Sequence, residues 1–127
     1  MESMYSVKLT QLVEDFQLEV LRKGKGYEKY QVRTQDVNRP GLQLIGFFDY
    51  FAPLRLQVLG KVEHTFLEGV SSEERRKVFE QFMSYDIPAL IITREMEPFP
   101  ECMEMARKYR RTLLSTNDTT VVFTSKV

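Results

Sequence analysis

Two glycine–lysine pairs are the residues of this chain that come nearest, by type and spacing, to phosphate chemistry. A nucleotide phosphate loop needs an upstream glycine, a Gly-Lys pair and then a Ser or Thr that binds Mg²⁺. Lys25 is followed by Gly26 and Lys61 by Val62, so neither pair has the hydroxyl. The upstream glycine is missing in both places as well. The sequence therefore predicts no nucleotide loop in these residues.

The single histidine and the single cysteine offer no pattern for a catalytic or metal site. General bases, activated nucleophiles and zinc sites need His or Cys paired with further His, Cys, Asp or Ser side chains. His64 and Cys102 are each the only residue of their type. We expect a structural or exposed role for His64, while an unpaired Cys102 favours a reducing compartment. We thus predict no catalytic residue and no metal ligand.

The charge balance argues against nucleic acid and membrane partners. Lys plus Arg and Asp plus Glu number 18 each in 127 residues, and no window approaches about 18 consecutive apolar residues. A basic cluster near the C-terminus is expected to complement a helix dipole; it comprises Arg107, Lys108, Arg110 and Arg111. The first eleven residues hold no apolar core of signal-peptide length, so we expect a soluble, cytoplasmic protein.

The hydrophobic periods predict the elements that must position any site. Alternation over 54–58 indicates a strand with one buried face, and the apolar run 87–93 indicates a strand covered on both faces. A helix is expected after the possible cap Ser71-x-x-Glu74, and another behind Pro100. A short strand begins at Leu113. Two successive β-α-β units predict an α/β fold, a mostly parallel sheet flanked by helices in a single domain spanning 1–127.

The two ends of the chain give weaker patterns. A short helix is expected over 10–16, with strands near 18–21 and 31–34 and a turn at 24–26. The last stretch, 118–127, has strand propensity but also a possible N-cap at Asp118 or Thr119, and we favour a helix there.

The stretch Asp36 to Phe51, DVNRPGLQLIGFFDYF, is the most specific in the chain. Asn38, Pro40 and Gly41 suit a tight turn, in which the glycine accepts positive φ. Turn chemistry does not explain Arg39, whose guanidinium can form a structural salt bridge or bind an anionic ligand bidentately. We expect the salt bridge and keep ligand capture as the alternative.

Four aromatic residues close this stretch: Phe47, Phe48, Tyr50 and Phe51. Side chains of one extended strand alternate between its faces, so the four rings cannot all point inward. We expect at least one of them to face a neighbouring domain or subunit.

The stretch resembles the N-terminal domain of HPr kinase/phosphorylase, and the likeness continues through Gly60-Lys61-Val62-Glu63, Ile91-Ile92-Thr93-Arg94 and Thr119-Thr120. The resemblance implies a domain structurally akin to the N-domains of the Mur ligases. It also implies a bifunctional serine kinase/phosphorylase that uses ATP or pyrophosphate with Mg in a second, C-terminal P-loop domain. That catalytic domain is absent from 1–127, so the resemblance implies no cofactor in this domain and no activity of this segment alone.

What the resemblance implies for function is a non-catalytic regulatory or assembly domain. Its partners would be the C-terminal kinase domain of the same protein, further copies of itself in a homo-oligomer, and HPr as the substrate of the whole enzyme in carbon catabolite repression. The alternative is a stand-alone sensor domain that binds a small phosphorylated metabolite or nucleotide.

The candidate ligand or domain-interface residues are Asn38, Arg39, Arg55, Arg94, Thr119 and Thr120. Arg94 is included because ligands of open parallel sheets collect beyond the carboxyl ends of the strands, although a structural role is the favoured reading. Relatives of the family tend to carry Pro-x-Glu-Arg after the aromatic cluster, whereas this chain has Ala-Pro-Leu-Arg at 52–55. We expect Arg55 to pair with Asp49 or Glu63 instead.

Overall fold

The computed structural model describes residues 6–34, 36–49 and 51–118. Within them the strands are β1 Val7–Lys8, β2 Glu19–Arg22, β3 Gln31–Val32, β4 Val37–Asn38, β5 Leu56–Leu59, β6 Leu90–Ile92 and β7 Leu113–Ser115. The α-helices are α1 Leu9–Asp15, α2 Gly41–Leu44, α3 Lys61–Glu68, α4 Ser72–Ser84 and α5 Pro100–Tyr109, and a 3₁₀ turn covers Tyr27–Lys29. The helix predicted for 118–127 lies outside the described residues, except for Asp118.

The main sheet has five strands in the order β2-β7-β6-β5-β4. Strands β4, β5, β6 and β7 run parallel, and β2 adds to the β7 edge in the antiparallel direction. Strands β1 and β3 form a separate antiparallel pair. The predicted α/β fold with a mostly parallel, helix-flanked sheet is confirmed.

Core residues cover both faces of this sheet, as expected for parallel strands joined by crossover helices. On one face Leu59, Leu90 and Leu113 pack with α4 and α5. On the other face Val58 and Ile91 pack with α1 and its surroundings. Successive strand residues therefore alternate between two cores rather than between core and solvent.

The interpretation of 54–58 as a half-buried strand was wrong. Strand β5 begins at Leu56, every residue in it is buried, and Leu54 is 60% exposed. Gln57 was read as a solvent-facing residue but is 0% exposed. Its side-chain NH₂ donates to the carbonyl oxygens of Ala52 and Arg55, so its burial leaves no unsatisfied amide hydrogen.

The two long helices begin where the sequence predicts. Ser71 Oγ accepts the Glu74 N–H at 3.1 Å and caps α4, and Pro100 occupies the first turn of α5. Helix α3 was not predicted. Its N-cap residue is Gly60, whose N–H donates to Glu63 Oε1 at 2.8 Å. The turn predicted at 24–26 is present, and a Cβ at Gly24 would lie 2.6 Å from the Arg110 carbonyl oxygen.

Candidate functional site

Arg39 lies in the turn between β4 and α2 and forms a two-pronged ion pair with Glu63 in the first turn of α3. Arg39 Nε lies 3.2 Å from Glu63 Oε1 and Nη2 lies 2.7 Å from Oε2. The Glu63 side chain is 6% exposed and that of Arg39 is 43% exposed. Since Oε1 also accepts the Gly60 N–H, one carboxylate joins the turn to the start of α3. The guanidinium group of Arg39 thus binds the carboxylate of Glu63 with two of its nitrogen atoms.

Asn38 anchors the same turn through a side-chain amide network. Its Nδ2 donates to Gln57 Oε1 at 2.7 Å and to Gln43 Oε1 at 3.3 Å. Gln43 Nε2 in turn donates to the Phe47 carbonyl oxygen at 3.4 Å. The network connects the end of β4 with α2 and β5, which gives Asn38 a positioning role in this structure.

The conformation expected of Gly41 was wrong. Gly41 is the first residue of α2, and positive φ occurs instead at Gly46, where φ is +92°. The Gly46 N–H bonds the Gln43 carbonyl oxygen just after the helix, which is where a glycine ends a helix most easily. The turn before α2 is held by Arg39 and Asn38 rather than by a left-handed glycine.

The partner expected of Arg55 was also wrong. Arg55 Nη2 lies 3.8 Å from Asp36 Oδ2, with side chains 43% and 70% exposed. Both oxygens of Glu63 are already taken by Arg39, which explains why Arg55 does not pair with that residue. An exposed pair at this distance contributes little to stability.

Arg94 follows β6 at the carboxyl edge of the sheet, as predicted, and is exposed. Its backbone is left-handed (φ +58°), as is that of Glu95 (φ +52°), and its N–H bonds the Asp118 carbonyl oxygen. A cavity of about 280 Å³ at this edge is lined by Glu19, Glu95 and Glu97 together with Leu21, Met96, Pro98 and Ser115, and not by Arg94. Three carboxylates around a cavity disfavour an anion there.

Within the described part of the chain, no three His, Cys, Asp or Glu side chains are grouped so as to hold a metal ion. The candidates Thr119 and Thr120 lie outside that part. His64 stacks on Phe99, with ring centroids 4.5 Å apart, and its Nδ1 lies 3.6 Å from Glu68 Oε1. These contacts give His64 the structural role that the sequence favoured.

A buried charged cluster between α4 and α5 was missed by the sequence interpretation. Ser72 Oγ donates to Glu101 Oε2 at 2.5 Å, and Arg75 Nε donates to Glu101 Oε1 at 3.0 Å. Arg75 Nη1 also donates to the carbonyl oxygens of Leu67 and Val70. The hydrogen bonds from Ser72 and Arg75 and the Arg75 charge lower the pKa of Glu101 from 4.5 to about 2. Ser72 and Arg75 stand one helical turn apart, and that spacing was the available signal.

Cys102 lies next to this cluster and is 1% exposed. Burial, with a smaller effect of the Glu101 charge, raises the pKa of its thiol to about 12. The thiolate that nucleophilic chemistry requires is therefore scarce at neutral pH.

Two of the four basic residues near the end of α5, Lys108 and Arg111, contact helix α4. Arg111 Nε donates to the Met83 carbonyl oxygen at 2.7 Å and Nη2 donates to that of Ser84 at 3.3 Å. These are carbonyls of the last turn of α4, where a cation is favourable. Lys108 of α5 forms an ion pair with Glu80 of α4.

Exposed apolar side chains gather where α2 and α3 lie side by side. Leu42 and Ile45 are 58% and 64% exposed, and Val62 and Phe66 are 72% and 42% exposed. Ile45 directly follows the last residue of α2, three positions after Leu42, and Val62 and Phe66 are spaced to lie on one face of α3. We call these four residues the apolar patch. Ile45, Val62 and Phe66 line a common cavity of about 210 Å³.

The aromatic cluster divides between core and surface. Phe48 stacks on Tyr85 with ring centroids 5.4 Å apart, and Phe51 packs edge-on against the same ring. Phe47 is 45% exposed. One ring of the cluster therefore faces outward, while Tyr50 lies outside the described residues. Strand alternation is not the reason, because the described residues between α2 and β5 form no strand.

The strands, helices and sheet order described above define an α/β domain, and the apolar patch lies on its surface. Residues 7–127 match the family described as HPr Serine kinase N terminus. The chain belongs to this family.

Curated relatives named HPr kinase/phosphorylase share much of the sequence. That of Clostridium tetani is 46% identical over 121 residues, which cover 95% of this chain and 39% of the relative. That of Alkaliphilus metalliredigens is 42% identical over 124 residues, covering 98% of this chain and 40% of the relative. The chain thus spans about two fifths of the length of these relatives.

A solved structure has a similar fold. The CBS and DRTGG domains of the regulatory region of Clostridium perfringens pyrophosphatase, complexed with the activator diadenosine tetraphosphate, superpose with a TM-score of 0.63. The match covers 94% of this chain and 44% of that chain at 14% identity. At this identity the likeness concerns the fold alone. No described helix of our structure is long and apolar enough to span a bilayer.

Proposed function

We propose that this domain is the non-catalytic regulatory or assembly part of an HPr kinase/phosphorylase. The observation that carries the proposal is the apolar patch, of which Leu42 and Ile45 belong to the stretch 36–51 that resembles the family. A contiguous exposed apolar surface is a feature of interaction sites. The Arg39 fork, the strongest candidate for binding a phosphate, is neutralised by Glu63 instead.

In this proposal the chemistry belongs to the rest of the parent protein. A C-terminal kinase domain of that protein would bind ATP or pyrophosphate with Mg, phosphorylate HPr on serine and remove the phosphate by phosphorolysis. The domain described by our structure would hold no cofactor. It would act in the cytoplasm, through contacts with the kinase domain and with other subunits, on carbon catabolite repression.

Phosphoryl transfer gives the first test. The chain alone, incubated with HPr and Mg-ATP that is radiolabelled at its γ-phosphate, should leave HPr unlabelled. The full-length relative from Clostridium tetani is the positive control, since this chain is 46% identical to its matching region. Stoichiometric labelling of HPr by the pure chain would overturn the proposal.

A deletion in the full-length relative tests the regulatory role itself. Removing the region equivalent to 7–118 should preserve phosphorylation of HPr while changing the oligomeric state or the dependence of the rate on ATP and phosphate. If the deletion changes neither, the domain has no regulatory or assembly role. If the remaining domain is folded, binds ATP and no longer phosphorylates HPr, the domain is part of the catalytic machinery.

The stand-alone sensor is not favoured, because the named relatives are HPr kinase/phosphorylases more than twice the length of this chain. The acidic lining of the carboxyl-edge cavity also argues against a phosphorylated ligand there. Thermal scans with phosphate, pyrophosphate and uridine nucleotides decide the matter, since a ligand that binds only the folded state raises its midpoint. We expect no shift with any of them.

A further inference from the structure

The cavity of about 280 Å³ at the carboxyl edge of the sheet combines acidic side chains, an apolar wall and a buried hydroxyl group. We propose that this carboxyl-edge cavity binds an organic cation, an ammonium or guanidinium group carried on an apolar stem. The inference goes beyond the proposed function, and the cavity shares no lining residue with the two cavities beside the apolar patch. Its support comes from the charges, the hydroxyl group, the shape of the lining and the fixed loop above it.

The carboxylates of the cavity have no compensating charge. Glu19, Glu95 and Glu97 all line it, and all three are exposed. None of them forms an ion pair with another residue that the structure describes. Arg94, the neighbour of Glu95, does not line the cavity. Because a concave surface with charges of one sign concentrates ions of the opposite sign, the cavity favours a cation.

Ser115 supplies a buried hydroxyl group without a partner. It lines the same cavity and is 5% exposed. Its hydroxyl forms no hydrogen bond within the described part of the chain. Ser115 is paired with Glu19 across strands β7 and β2, so the two side chains stand side by side on one face of the sheet. The hydroxyl oxygen can accept a hydrogen bond from the N–H of an ammonium or guanidinium group beside that carboxylate.

The lining indicates the kind of cation. No three acidic side chains of the described residues are grouped as ligands of a metal ion, so the carboxylates surround the cavity without converging on one point. This arrangement suits a guanidinium or ammonium group, which presents several N–H donors in different directions. Leu21, Met96 and Pro98 form an apolar wall along which methylene groups can lie. The volume is just below the roughly 300 Å³ at which pockets for drug-sized ligands begin, which fits a small amine or a single side chain.

The loop that carries two of the carboxylates is fixed to the sheet. The Arg94 N–H bonds the Asp118 carbonyl oxygen at 3.0 Å, and the Glu95 N–H bonds that of Thr116 at 2.9 Å. Arg94 and Glu95 both have positive φ, a conformation that costs free energy in residues other than glycine. The backbone contacts hold the loop in this conformation, so Glu95 lies beside the cavity before a ligand binds.

An NMR titration of the isotopically labelled chain tests the proposal with two probes. Agmatine represents a free amine, and N-acetylarginine amide represents an arginine side chain of a partner protein. Amide signals of β2, the loop 95–98 and Ser115 should shift, with a dissociation constant on the order of 1 mM because exposed charges contribute little each. Raising NaCl from about 0.05 M to about 0.5 M should weaken binding at least about threefold. Tighter binding of agmatine assigns the site to a free amine, and tighter binding of N-acetylarginine amide assigns it to a partner's side chain.

Variants locate the binding site. Glu95→Gln, Glu97→Gln and Ser115→Ala should each weaken binding about threefold or more, while Glu14→Gln, an exposed acid of α1 outside the cavity, should not. Ser115→Ala should also keep or raise the thermal midpoint, since it removes a hydroxyl without a partner. The proposal is overturned by the absence of shifts with either cation up to about 10 mM, or by equal binding of the neutral N-acetylcitrulline amide. Equal weakening by Glu14→Gln, or a lowered midpoint of Ser115→Ala, contradicts it as well.

Discussion

Removing the Arg39 side chain should destabilise the domain much more than removing that of Arg94. Arg39→Ala leaves the carboxylate of Glu63, which is 6% exposed, without its cationic partner. Breaking a fully buried pair from one side costs about 3 to 5 kcal/mol, and losing an exposed pair costs less than about 1 kcal/mol. The half-exposed guanidinium and the remaining Gly60 hydrogen bond place this pair between those limits. We expect a loss of about 2 kcal/mol.

Arg94 provides the matched comparison because it is an exposed arginine at the same sheet edge. We expect Arg94→Ala to change the free energy of unfolding by less than about 0.5 kcal/mol. A typical unfolding entropy of about 2.1 cal/mol/K per residue converts the Arg39→Ala loss into a midpoint shift of roughly 7 °C. The two variants therefore differ well beyond experimental error.

Urea unfolding of single and double variants measures the pair directly. Glu63→Gln keeps an oxygen that can accept the Gly60 N–H, so it removes the charge but spares the start of α3. The double-variant cycle with Arg39→Ala should give a coupling of about 1 to 2 kcal/mol. Additive losses, or equal stability of Arg39→Ala and Arg94→Ala, would refute the assignment of Arg39 to a structural ion pair.

Three further outcomes are expected. The pKa of Glu101 is about 2 in the folded state against 4.5 unfolded, so the unfolded chain binds the proton first. As the pH is lowered from about 5 to 2, the free energy of unfolding measured with urea should fall by up to about 3 kcal/mol. Glu101→Gln should flatten this pH dependence. The Cys102 thiol should react with a disulfide reagent only after unfolding; fast reaction of the native chain contradicts its burial. Gly46→Ala should cost about 1 kcal/mol because φ is positive there, and Gly41→Ala should cost nothing; the reverse order would exclude the observed turn.

The sequence predicted those helices whose apolar side chains all face the core. In α4 the buried residues Phe79, Phe82 and Met83 follow the helical period. Helix α3 was not predicted, because its apolar residues lie on the exposed face of the helix rather than on the buried one. Val62 and Phe66 share one face of the helix, but that face is exposed, while the buried positions hold Glu63 and Leu67. A helix whose apolar stripe faces outward cannot be recognised from a rule that assumes burial.

Partners of charged residues were harder to predict than their positions. Arg39 was expected to form a structural ion pair and does so, but its partner lies 24 residues away, across the strand and the start of the next helix. The acidic partner predicted for Arg55 was wrong, since its pair is with Asp36. Whether Arg39 or Arg55 pairs with Glu63 depends on distances that only the folded chain defines. Gln57 was predicted to be exposed but is buried. Alternation of apolar and polar residues along a strand does not reveal whether the second face of the sheet is also covered.

The ion pair and the apolar patch are parts of one arrangement. Arg39 lies two residues before α2, and Glu63 is the neighbour of Val62 on α3. The contact between their charged groups therefore holds the start of α2 beside the start of α3, and the patch is formed by the outer faces of those two helices. The turn residue Arg39, whose fork could have bound an anion, thus positions two helices in this fold. Its ion pair with Glu63 sets the distance between α2 and α3, and that distance sets the shape of the apolar patch.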